Sequence, residues 1–280
     1  MPLTKKKVMS NGGSFEIPTS IKTVAGNDDY FIGITSNGTP YKITKADLLA
    51  GLSSGSGGGT DTGGSTSGTD PYFSNVVLLL HGDEENGSSL ITNSGKSTYS
   101  VSISNPGEAV KNSNIKGKFN NSLFFNGSGS LNCVSSGFNV GSQDCTIEFF
   151  LNINSTVLLF DMRPDNTNGA YPSLYLVGNT LTVAFNYVDA AIASTVPLIA
   201  GTWYYIALKK IGNITQLWLD GTKLGEFTSG DWASSGRIKL GENAFFAPGT
   251  NLTGYIDEFR FTLSTARDLS TVPTHLFPSS

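Results

Sequence analysis

The sequence is poor in the residues that most chemistry requires. It has two histidines and two cysteines in 280 residues, with no close pair, so a zinc site is not expected. His81 and His275 have no nucleophile motif nearby, which argues against a Ser-His-Asp arrangement. Only Arg163, Arg237, Arg260 and Arg267 supply guanidinium groups, and the net charge is −4. Nucleic-acid binding needs clustered cations, so no nucleic-acid partner is expected. The one basic run, Lys5-Lys6-Lys7, reads as a solvated N-terminal arm. No stretch approaches the ~20 apolar residues of a membrane helix. The first residues carry charge without an apolar run behind them, so no signal peptide is read. The expectation is synthesis in the cytoplasm and exit by a route such as lysis. In that setting Cys133 and Cys145 read as reduced packing residues, although neighbouring strands would let them pair. Sequons at Asn86, Asn126 and Asn213 then reflect composition.

What is present is β-forming sequence between turns. Gly, Ser, Thr and Asn are abundant, charged residues make up only 14%, and no long segment has helical period. Residues 201–227, GTWYYIALKKIGNITQLWLDGTKLGEF, read as three antiparallel strands. Asp220-Gly221 is the hairpin signal, because a type I′ turn needs positive φ at both central positions. Further strands are expected at 76–80, 98–104, 118–126, 129–134, 146–153, 157–162, 173–177, 181–187, 237–240 and 255–263. About a dozen short strands in some two hundred residues fit two antiparallel sheets packed face to face.

Three segments are expected. Residues 1–52 form a small unit with short strands at 15–18, 30–34 and 41–43 and a capped helical turn from Thr44. Its few large apolar side chains make it marginal alone, so it needs a partner surface or copies of itself. Residues 53–69, SSGSGGGTDTGGSTSGT, read as a flexible linker. Residues 70–280 are the sandwich domain.

Several stretches of that domain, taken in order, carry a resemblance. They are Val77–Asp83 with Asn86-Gly87-Ser88, Phe119–Gly127, Cys145–Phe150, Trp203–Leu208, Leu217–Gly221 and Gly254–Arg260. Together they resemble the laminin-G-like, concanavalin A-like domains of bacteriophage virion proteins, across about residues 71–278. Gly82 and Phe150 depart from that pattern, where aromatic and Trp residues are common. The resemblance implies a mostly β jelly-roll sandwich behind an N-terminal unit that anchors it to a fibre, tail or capsid. It implies virion localisation, other virion proteins as partners of residues 1–52, host-surface glycan as the ligand, and a homo-oligomer, with a trimer plausible by analogy with fibres. The rival is a structural or decoration protein whose sandwich contacts neighbouring virion proteins.

The resemblance also bears on sites. Many members of the broad superfamily bind Ca²⁺, which takes 6–8 oxygen ligands. Asp83, Glu84 and Asp257 are the candidates if the terminal strands pair, with Asp144 and Glu148 as a second option; the alternative is that these carboxylates bond backbone. Endoglucanases sharing the sandwich carry a Glu-x-Asp-x-x-Glu strand, which is absent here. Asp257-Glu258 comes nearest, but alternation along a strand sends the two to opposite faces, so no catalytic residue is expected. Sugars are held by aromatic faces beside polar groups. Loop aromatics therefore offer ligand candidates: Trp232 with Asp231, Phe245 with Phe246, and Tyr171 beside Asp165 and Asn166. Each has the alternative role of covering a sheet edge.

Overall fold

The computed structural model describes residues 69–154, 158–242, 244 and 251–280 in full, and the backbone of four strands nearer the N-terminus. Those four form two hairpins. β1 (Lys5–Ser10) pairs with β2 (Gly13–Pro18), and β3 (Tyr30–Ile34) with β4 (Pro40–Thr44). The basic run thus opens a strand instead of an arm. The chain divides into two units, 1–60 and 61–280. The capped turn after Thr44, all but the last residue of the Gly/Ser stretch, and Phe245 and Phe246 lie outside the described residues.

The larger unit is an antiparallel sandwich. One sheet runs in the order β17 (Thr222–Thr228), β16 (Ile214–Leu219), β15 (Trp203–Ile211), β10 (Cys145–Ile153), β19 (Thr253–Leu263), β8 (Ser122–Asn126), β7 (Val110–Ser113). Its eighth strand, β5 (Val76–Leu80), also pairs with β19. The second sheet has seven strands: β14 (Val188–Pro197), β13 (Thr180–Phe185), β12 (Ser173–Val177), β11 (Leu158–Asp161), β18 (Arg237–Leu240), β9 (Leu131–Val134), β6 (Ser102–Ser104). Alternation sets the core. Leu131 and Cys133, Leu174 and Leu176, Ile206 and Leu208, and Ile238 and Leu240 all point between the sheets. Cys133 and Cys145 sit on different sheets as free, buried thiols, and burial pushes Cys133 up to about 12.

The turn at Asp220-Gly221 has φ of 46° and 79°, as its sequence requires. A second turn of that kind joins β13 to β14 through Asn186 and Tyr187, at φ 48° and 66°, without the usual glycine. β7 and β14 are unexpected strands. β14 is an edge strand rich in Ala, Ser and Thr, so it lacks the apolar alternation that marks a half-buried strand.

The central strand β19 changes neighbour midway. β8 pairs with it as far as Ile256, and β5 takes over from Phe259. At the hand-over Glu258 adopts φ 53°, and the pairing with β10 slips by one residue. Ile256 and Phe259 both stay in the core. The extra residue therefore places Asp257 and Glu258 on the same outer side. This corrects the alternation expected from sequence.

The outer face of the eight-stranded sheet is closed by segments from the two ends of the larger unit. Phe73, Leu269 and Phe277 pack onto Phe150, Tyr205 and Ala207 as a second apolar cluster. Beneath them lies a buried ionic network. Asp70 accepts from Arg267 and Arg260, and Glu148 accepts from Arg260 and Tyr205.

Candidate functional site

The carboxylates singled out in sequence do come together, because β5 and β19 pair. Asp257 Oδ2 accepts the backbone N–H groups of Lys118 (2.7 Å) and Phe119 (3.2 Å). Asp83 accepts from Asn121 N at 2.9 Å and Asn120 Nδ2 at 3.0 Å. Glu84 turns away to Thr92. Glu258 binds His81 Nδ1 at 2.7 Å and the Phe277 N–H at 2.7 Å. Burial, then the neighbouring Glu258 charge, push Asp257 up to about 7. Burial also raises Glu258. Burial opposes the proton on His81, but the Glu258 hydrogen bond together with the charges of Glu258, Asp83 and Asp257 outweighs it and raises the ring.

These carboxylate oxygens face N–H donors that pin the 118–121 segment and the C-terminal tail. That is hydrogen-bond acceptance, not an oxygen cage. Among the described residues no group of three or more His, Cys, Asp or Glu side chains is placed to hold a metal. As placed, the Asp83 and Asp257 oxygens accept N–H groups and Glu84 turns to Thr92, whereas Ca²⁺ takes oxygens converging from several sides. Asp144 and Glu148 are apart in role as well: Asp144 accepts from Gly212 N, and Glu148 lies in the arginine network.

The loop aromatics divide. Trp232 is 1% exposed. Its backbone pairs with Gly141 and its indole N–H donates to Thr215 Oγ1 at 3.0 Å. The segment between β17 and β18 crosses from one sheet to the other, and Trp232 fills the space it spans. A Ser/Gly-rich loop composition cannot reveal that path. Trp232 is thus a core residue, while its neighbour Asp231 stays exposed. Tyr171 is half-buried against the core.

The loops themselves do converge. Asn166 N donates to Ala244 O, and Ala233 N to Ala170 O. Arg237 bonds Asp165 through both terminal nitrogens, at 2.8 and 3.0 Å, and also the Arg163 carbonyl. They gather at the outer face of the seven-stranded sheet, which has the more informative chemistry.

Paired residues in neighbouring antiparallel strands share a face. The register therefore draws one row across six strands: Ser104, Asn132, Lys239, Asp161, Ser173, Ala184. At the usual strand spacing, Asn132 to Ala184 spans about 19 Å. Two residues along β12 from Ser173, Tyr175 stands on the same face, half-buried, with its hydroxyl donating to the Asp189 carbonyl. Asp161, fully buried, holds Arg163 at 2.8 Å and accepts Ala244 N at 3.0 Å.

Three buried side-chain atoms on this face have no hydrogen-bond partner: Asn132 Oδ1, Ser173 Oγ and Arg237 Nε. Ser173 is 0% exposed. These atoms are three of seven such orphans among the described residues, and each costs about 1–3 kcal/mol while it lacks a partner. Tyr175, Asn132 and Ser173 were not singled out from sequence. The signal was present in Ser173–Val177, where inward Leu174 and Leu176 force Ser173, Tyr175 and Val177 outward.

Comparison with known proteins supports the architecture. No curated protein matches the chain in sequence. Domain 4 of an extracellular GH43 arabinanase from Geobacillus stearothermophilus, solved in complex with arabinotriose, aligns with a TM-score of 0.53 at 15% identity, covering 70% of this chain and 96% of that one. The botulinum neurotoxin serotype D/C binding domain aligns at 0.52 and 13%, covering 71% and 50%. A botulinum neurotoxin type C structure, whose cell entry depends on two ganglioside molecules, aligns at 0.50 and 11%, again covering 71% and 50%. This chain thus spans about half the length of those neurotoxin chains. At these identities the likeness is one of fold. The sequence profile of a single family matches residues 125–267, just over half of the chain, and on that match the protein belongs to the concanavalin A-like lectin/glucanases superfamily.

Proposed function

We propose that this chain is a structural protein of a bacteriophage virion whose sandwich domain binds host-surface glycan. The observation that carries the binding role is the outer face of the seven-stranded sheet. There Tyr175 shares a face with the unpaired, buried atoms of Ser173, Asn132 and Arg237. Sugars present an apolar ring face and many hydroxyls, and a site of this make-up offers a partner for each. The arabinanase domain bound to arabinotriose and the ganglioside-dependent neurotoxin lend support by analogy of fold.

The virion role rests on the ordered set of motifs from Val77 to Arg260 and on the Gly/Ser-rich 53–69 stretch after a small N-terminal unit. On this reading residues 1–52 attach to other virion proteins, and residues 70–280 are displayed. Copy number on the particle then turns weak contacts into avidity, and no chemical step is required.

The test couples the full chain to beads at high density and measures retention on host cells and on immobilised polysaccharides. Retention that falls with Tyr175→Ala and Asn132→Ala supports the reading. Equal retention of those variants, or none by the wild type, rejects it. The virion role is checked separately by mass spectrometry of purified particles, which must contain the chain.

A further inference from the structure

Resting on the glycan-binding reading above, we infer that the ligand is an uncharged polyhydroxy chain and that ionic glycans are refused. The argument is a balance of charges on the binding face. Three cations lie there, and each already has a carboxylate. Arg163 is paired with Asp161 at 2.8 Å. Arg237 spends both terminal nitrogens on Asp165 and one of them also on the Arg163 carbonyl. Lys239 lies 3.2 Å from Glu242 and 3.5 Å from Asp165.

Recognition of a sugar carboxylate, sulfate or phosphate uses a guanidinium fork or a clustered set of cations. Here the Arg237 fork is already closed on a protein carboxylate. Its Nε is the one nitrogen left, a single donor. Asp165 itself is 61% exposed and would meet an incoming anion with like charge. The Arg237 hydrogen bond holds its carboxyl below the usual range, so it stays ionised.

The unpaired atoms have the opposite character. Asn132 Oδ1 accepts, Arg237 Nε donates, and the Ser173 hydroxyl does either. Neutral sugar hydroxyls also donate and accept, so successive hydroxyls of a chain match the three in kind without importing charge. The row from Asn132 to Ala184 extends about 19 Å, which suits an oligosaccharide segment better than a single ring.

The experiment measures binding of the full chain to uncharged polysaccharides (a glucan and an arabinan) and to acidic ones (polygalacturonate and a sialylated glycan), at low and high salt. The expected result is binding to an uncharged polymer that changes less than about twofold over a tenfold rise in salt, since no ion pair is formed. Asn132→Ala weakens it roughly tenfold, the effect of one hydrogen bond. Asp165→Asn frees the Arg237 fork, while Lys239 keeps Glu242, and gives the chain a new, salt-sensitive affinity for polygalacturonate. Wild-type binding to acidic glycans that collapses with salt overturns the neutral-ligand inference while leaving glycan binding intact. Absence of binding to every polymer removes the reading on which the inference rests. Asp165→Asn behaving as wild type on acidic polymers also counts against it.

Discussion

Replacing Asp70 by alanine gives the sharpest test of how the sandwich is locked. Asp70 is the first residue of the expected domain, and its carboxylate is 3% exposed. Oδ2 accepts from Arg267 at 2.6 Å and Arg260 at 3.2 Å; Oδ1 accepts from Arg267 at 3.1 Å and from Tyr72 N at 2.9 Å. Glu148 is the other carboxylate in the network. In Asp70→Ala, Arg260 and Arg267 share Glu148 alone, and one buried positive charge is uncompensated. Removing one partner of such a pair costs about 3–5 kcal/mol. For a domain of about 210 residues unfolding with ~2.1 cal/mol/K per residue, that lowers Tm by roughly 7–11 °C.

The pH dependence has a definite sign. Burial alone would raise Asp70, but the hydrogen bond and charge of Arg267, with the Tyr72 N–H and Arg260, more than offset it and lower its carboxyl. A depressed acid contributes stability that is present above its unfolded value and lost as pH falls through its folded value. The gap between wild type and Asp70→Ala therefore closes only as the pH falls below the ordinary carboxyl range. Thermal unfolding by circular dichroism across pH reads both effects. A Tm loss under about 2 °C at neutral pH, less than 1 kcal/mol on this scale, refutes the claim that the two ends of the larger unit are clamped by charge.

Other outcomes follow from particular contacts. Asp257 and Glu258 are raised acids, so ionising them costs stability; His81, raised by Glu258, contributes stability that disappears as pH rises through its folded value. Wild-type Tm is therefore higher at pH 5.5 than at pH 8, and Asp257→Asn gains on wild type at pH 8 but not at pH 4; a flat profile contradicts this. Trp232→Ala opens a core cavity and lowers stability by about 3–5 kcal/mol, read by urea unfolding, while Trp232→Phe still binds glycan as wild type does. Because the Asp83 and Asp257 oxygens face N–H donors, a chelator leaves Tm and glycan retention unchanged, and a Tm drop with chelator that calcium restores would show a metal site.

The sheet architecture was legible because it rests on local signals. Alternation in Thr215–Leu219, the β-forming run Thr146–Ile153 and the Asp220-Gly221 turn specify strands without knowledge of their neighbours. Three features were not legible. The bulge at Glu258 exists because β19 exchanges β8 for β5, a fact about pairing and not about residues 256–259. Trp232 is buried because its segment crosses between sheets. The candidate face assembles Asn132, Lys239, Asp161 and Ser173 from four strands scattered over the sequence. No one of them looks special in isolation. Loop aromatics drew the sequence reading because a loop is read locally, whereas a sheet face exists only through register.

The most direct test of the binding face is hydrogen exchange on the full chain, with and without an uncharged polysaccharide it retains. The account predicts added protection in β9, β11, β12 and β18, around Asn132, Asp161, Ser173 and Arg237. Protection confined to the eight-stranded sheet or to the 118–121 segment, with those four strands unchanged, would contradict it.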